Sequence, residues 1–229
     1  MLAGIADVAA AGIGLDDRVI MMQAVVQVPT VDDGSAPWPV AAVAPDSWLV
    51  LNAGCTAEQV GLFVATLAAP IDVAFPGGRD EVVDALLAEE LLIVPGGLRL
   101  SDTSAETVVV PGCCSGLEDW REWIQVFTGG SPWLGHDPGP GVEVIGDDLR
   151  VWQDGGPDRH RGRWAERRVD LPCRELPQLL LGVQQDLIGF LGALAEWAEQ
   201  AGVGPRGAAL VRSVDRNFAI AAPLELPTC

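Results

Sequence analysis

The sequence predicts an α+β (or α/β) fold: a mixed, mainly antiparallel sheet with about four helices packed on it, including a long C-terminal helix. Three observations predict it. Short runs rich in β-branched residues are broken by Pro, Gly and Asp, as in hairpins. Between them, apolar residues recur at helical spacing in four stretches. The 229 residues are 49% hydrophobic and 20% charged, a globular balance in a chain long enough to bury a core without staples. Residues 1–229 are read as one compact domain. SDTSAE (101–106) is the candidate boundary for a division into αβ halves 1–104 and 105–229.

Residues 1–17 are small and apolar without a firm period, a loose lead-in or a short helix. RVIMMQAVVQVP (18–29) and AAVAPDSWLVLNAG (41–54) are extended runs joined by the turn-rich VDDGSAPWP, together a hairpin or meander. At Thr56 the period changes. Thr56 and Gln59 form a capping box, and Val60, Phe63, Val64 and Leu67 fall on one helical face that ends at Pro70. IDVAF (71–75) is a short strand. A second helix covers roughly Arg79–Glu90, with Val83, Leu86 and Leu87 inward. LLIVPGGLRL (91–100) reads as a hairpin turning at Gly96–Gly97. A helix pair followed by a hairpin resembles a winged helix, but the charge balance argues against DNA.

ETVVVP (106–111) is the next strand, and it leads into GCCSGLEDWREW. In the helix that follows, Leu117, Trp120, Ile124 and Phe127 mark the inner face at a period of 3.6. TGGSPWLGHDPGPG (128–141) is a breaker-rich loop, and VEVIGDDLRVWQD (142–154) a hairpin turning at Gly146–Asp148. From Glu175 to about Gln200 runs the long helix, with Pro177 in its first turn and Gly202 as its stop. Leu180, Val183, Leu187, Leu191, Leu194 and Ala198 form its buried stripe. AALVRSV (208–214) is a short final element before a Pro-rich tail.

The net charge is −18, and all 14 basic residues are arginine. A chain without lysine forms no lysine Schiff base and no P-loop lysine contact. A GC-rich genome accounts for the arginine, alanine and glycine usage. The acidity disfavours nucleic acid and anionic membrane and suits a basic protein partner. No apolar run reaches the ~18 residues of a membrane span, and no charged segment precedes the apolar start as in a secretory leader. Five cysteines without framework spacing are expected as reduced thiols in a cytoplasm.

Gly112-Cys113-Cys114-Ser115-Gly116 fits G-x-C-x-G, a thiol version of the nucleophile elbow. A thiol beside free N–H groups at a helix start is favoured as thiolate. On that reading Cys114 is the nucleophile, His136 or His160 the base, and Asp137 or Asp154 the orienting carboxylate. Against it stand Pro111 before the turn and the lack of an oxyanion-loop signature. A metal reading uses Cys113, Cys114, His136 and Asp137 as donors. However, side chains of adjacent residues diverge, and there is no C-x-x-C or H-x-x-x-H, so the sequence assigns neither a metal nor a cofactor. The default is structural: two small buried thiols at a tight corner.

Five of the eight tryptophans lie between Trp120 and Trp164. Trp120 and Trp152 are assigned to the core, and Trp123, Trp133 and Trp164 to a partner-binding surface. Arg159, Arg161 and Arg163 lie in GGPDRHRGRWAERR (155–168), the sharpest basic shift in the chain. They are read as a solvated loop with internal pairs or as an anion site.

PWLGHDPGPGVEVIGDDLRVWQDGG followed by a long helix resembles the small α+β immunity and partner-binding modules of bacteria, such as the SUKH group. The resemblance covers less than half the chain and rests on a Trp-Gly loop, a hairpin and a helix. The function expected is therefore a non-catalytic cytoplasmic protein-binding module of bacterial immunity or accessory type, acidic with aromatic anchors. The alternative is a cysteine- or metal-dependent hydrolase or transferase using the Cys113/Cys114–His136–Asp137 region, and a small-ligand sensor is a third reading.

Overall fold

The computed structural model describes residues 18–29, 36–44, 46–71, 78–154 and 167–226. The lead-in, most of IDVAF, and Arg159, His160, Arg161, Arg163 and Trp164 lie outside them. The fold is mixed α+β with two antiparallel sheets. In the first, the order is β2 (Trp48–Val50), β1 (Ile20–Gln27), β3 (Gly96–Asp102), β4 (Thr107–Val109). In the second it is β5 (Gly141–Ile145), β6 (Asp148–Trp152), β7 (Arg168–Pro172). Of the helices α1 (Ala57–Ala68), α2 (Arg79–Ala88), α3 (Leu176–Gln200) and α4 (Pro205–Phe218), α3 packs on β1 of the first sheet, α1 and α4 pack on α3, and α2 packs on α1 and α4.

Thr56 caps α1 as its spacing requires: its hydroxyl accepts from the Gln59 N–H, and the Gln59 amide returns to the Thr56 N–H. α3 lies on β1 and buries Leu180, Val183, Leu187, Phe190 and Leu194. Phe190 meets Phe63 of α1 edge to face at 4.8 Å between centroids, and Phe63 meets Phe218 of α4 at 6.5 Å. Each fully buried side chain of this kind contributes about 1.5–3 kcal/mol. By length and composition alone, Cys173–Gln200 is apolar enough to cross a membrane. Its buried stripe is nonetheless engaged by the core, while Ile188 on the other face is 48% exposed.

Two expectations change. Gly96–Gly97 is not a turn: β3 begins there and pairs with β1, Gly97 facing Val25. A Cβ on Gly96 would come within 2.3 Å of the Val25 carbonyl, and Gly97 has φ +141°, so the glycines serve a close approach between strands. Residues 91–94 belong to no strand, with Leu92 and Val94 buried and Leu91 and Ile93 exposed.

The segment after the cysteines, Leu117–Thr128, is a 3-10 helix rather than an α-helix. With three residues per turn its inner row is Leu117, Trp120, Trp123 and Val126, whereas Ile124 and Phe127 are half-buried. In an α-helix that row would drift by about 60° at each step. Trp123, expected at a partner surface, is 2% exposed for this reason. Trp120 and Trp152 are buried as expected.

Candidate functional site

Past β4, the chain is held by an amide clamp before it turns. The buried Gln153 accepts from the Val110 N–H at 2.8 Å and donates to the Val110 carbonyl at 3.2 Å. This ties the end of β6 to the approach of the corner. The loop containing His136 then lies directly on residues 112–113. Gly112 N–H donates to the Leu134 carbonyl at 2.8 Å. Cys113 and His136 exchange both backbone bonds, 2.6 and 2.9 Å, as an isolated antiparallel bridge. Two glycines permit this approach. A Cβ on Gly112 would meet the Pro138 carbonyl at 2.1 Å, and one on Gly135 (φ +89°) would meet Cys113 and Gly112 backbone at 2.6 Å.

Cys113 and Cys114 are exposed, not the buried hydrophobes of the structural default. Their sulfurs lie 3.5 Å apart. The divergence expected of neighbouring side chains fails because Cys114 has φ +62°, which breaks the alternation an extended strand would impose. A left-handed conformation is uncommon for a residue with a Cβ and costs roughly 1–2 kcal/mol. The His136 ring nitrogen Nδ1 is 3.0 Å from the Asp137 carboxylate, which is 92% exposed. One ligand-type atom from each of Cys113, Cys114 and His136 lies within 4.8 Å of the others. The three residues nominated for catalysis, Cys114, His136 and Asp137, are thus brought together. The thiols, however, hydrogen-bond to each other rather than to the imidazole.

Trp133 borders the corner. It is 50% exposed yet tied at two points: its backbone N–H donates to the Glu122 carboxylate at 2.7 Å, and its indole N–H to the Cys114 carbonyl at 3.0 Å. Its ring lies 6.5 Å from that of His136. Glu122 was not singled out by the sequence: an acidic residue on a helix face carries no signal that it will reach a loop eleven residues on.

The electrostatics do not favour a thiolate. Sharing a hydrogen bond with Cys113 pushes the Cys114 thiol above its ordinary value, with repulsion from Cys113 and slight burial adding to it. Glu118 and Asp119 occupy the first turn of the 3-10 helix, where they offset its positive end. Burial raises both carboxyls, with the like charge of Asp119 adding at Glu118 and that of Glu122 at Asp119.

Compared with family models, curated proteins and solved structures, the chain shows no match.

Proposed function

We propose that the chain is a non-catalytic cytoplasmic binding module, of immunity or accessory type, that docks a basic protein segment at the corner centred on Trp133. One observation carries the reading: Trp133 is half exposed, fixed at both its backbone and its indole N–H, and set beside carboxylates. A preorganised aromatic loses little entropy on binding and suits the centre of an interface. Glu122 and Asp137 supply the acidic border, and the chain carries a net −18 that would steer a cationic partner. The test is quantitative cross-linking and affinity capture from the native cell with wild type, Trp133→Ala and Ile188→Ala. The expected partner is lost at raised salt and in Trp133→Ala but retained by Ile188→Ala. Capture unchanged by Trp133→Ala overturns the reading.

A thiol-dependent enzyme is the second reading, favoured by the approach of Cys113 and Cys114 to His136. The raised Cys114 thiol opposes it. An enzyme of this kind requires alkylation of the pair at pH 7 faster than free cysteine and dependent on His136. Slow alkylation indifferent to His136→Ala removes it.

A further inference from the structure

We propose that Cys113, Cys114 and His136 form a binding site for a single thiophilic cation of the zinc class, with the fourth position open to solvent. The donor set is chemically matched: two thiols and an imidazole are the ligands such ions select over oxygen. The spacing also fits. Tetrahedral zinc with Zn–S bonds of about 2.3 Å places its sulfurs about 3.8 Å apart, and the Cys113 and Cys114 sulfurs are 3.5 Å apart. The imidazole is within the 4.8 Å that encloses all three donors. All three side chains are exposed, so a cation reaches them directly from solvent.

Three features prearrange the site. The Cys113–His136 backbone bridge fixes the two loops in register. The left-handed Cys114 brings the second sulfur beside the first. The Asp137 carboxylate accepts from His136 Nδ1–H, which leaves the lone pair on Nε2 and orients the ring. That carboxylate–imidazole pairing is the arrangement that supports histidine ligands in metal sites. On binding, each thiol releases its proton to solvent as its sulfur lone pair bonds the cation, so affinity rises with pH. The site adjoins the docking surface proposed above and shares Asp137 with it; Trp133→Ala removes no donor, so cation binding and partner docking are tested apart.

The experiment titrates the reduced, metal-free full chain with Cd(II) alone, following thiolate-to-cadmium charge-transfer absorption, with Zn(II) as competitor. The expected result is one cation per chain, displaced by Zn(II). A Cys55→Ser/Cys173→Ser/Cys229→Ser variant keeps the band; Cys113→Ser/Cys114→Ser loses it. Asp137→Asn weakens binding by about 10–100-fold, and His136→Ala weakens it further while retaining a thiolate band. X-ray absorption of the zinc-loaded chain should give two sulfurs at about 2.3 Å and nitrogen at about 2.0–2.1 Å. A band that persists in Cys113→Ser/Cys114→Ser, a four-sulfur shell, or no band with wild type overturns the proposal. Circular dichroism of each variant separates loss of ligands from loss of fold.

Discussion

Cys113 and His136, 23 positions apart, face each other as a two-bond backbone bridge of 2.6 and 2.9 Å. The bridge explains why a thiol pair and an imidazole share one exposed corner, although nothing in their spacing along the chain requires it. It depends on Gly112. An added methyl there would lie 2.1 Å from the Pro138 carbonyl and 2.8 Å from the His136 backbone nitrogen and oxygen, so the backbone must move. Gly112→Ala is therefore expected to cost about 1–3 kcal/mol in urea unfolding and to weaken Cd(II) binding, although it removes no donor. Unchanged stability would mean that the two loops are not held this closely.

The 3-10 geometry of Leu117–Thr128 gives a second expectation. Trp123 occupies the inner row, and Trp123→Ala should cost about 3–5 kcal/mol. Phe127 is only half-buried, so Phe127→Ala should cost less. Thermal or urea unfolding of the two variants decides the order. The reverse order would restore the phase of an α-helix and return Trp123 to the surface.

That same segment shows what was legible in the sequence. The capping box at Thr56–Gln59 and the strand character of β1, β4 and the β5–β6 hairpin follow from local patterns, and the structure repeats them; the stripe of α3 is repeated except that Phe190 is buried and Leu191 is half-buried. Leu117–Thr128 was legible as a helix but not in its phase. Both Phe127 and Trp123 are bulky and apolar, and only the number of residues per turn decides which is inside. The Gly96–Gly97 pair misled for a different reason: glycine permits a turn and a close strand approach equally, and the pairing with Val25 and Val26 is non-local. At the corner, the residue types pointed to chemistry, but the exposure and convergence of the thiols depended on one left-handed residue, Cys114.

Thiol chemistry should follow exposure. Cys55 is partly buried, donates its S–H to the Val50 carbonyl at 3.3 Å, and is pushed up by burial, the Asn52 contact offsetting only part of this. Cys113 and Cys114 are open to solvent. With limiting iodoacetamide on the native, reduced chain, peptide mass spectrometry should find the 113–114 pair modified before Cys55. Modification of Cys55 at an equal rate would show that β2 and the start of α1 open more readily than their packing implies.

Arg18 joins the two sheets, and its bond to Asp102 makes the junction dependent on pH. Its guanidinium donates to the Asp102 carboxylate at 2.8 Å and also to the Asp170 carbonyl in β7. The Asp102 side chain is 6% exposed. Burial pushes its carboxyl up, but hydrogen bonds from Ser104, Arg18 and the Ala105 N–H, with the Arg18 charge, outweigh that and leave it below the usual value. A carboxyl depressed in the folded state contributes stability above its unfolded value of about 3.9, and that stability is lost as pH falls through the folded value. Asp102→Asn removes the charge and its charge-assisted bonds, so it should cost about 1–3 kcal/mol at pH 7. The gap to wild type should hold down to about pH 5 and narrow toward pH 3, as the wild-type carboxyl takes up its proton. Urea unfolding of both proteins at pH 7, 5 and 3 measures it. A gap independent of pH would place the role of Asp102 in its turn with Ser104 and Ala105 rather than in its charge.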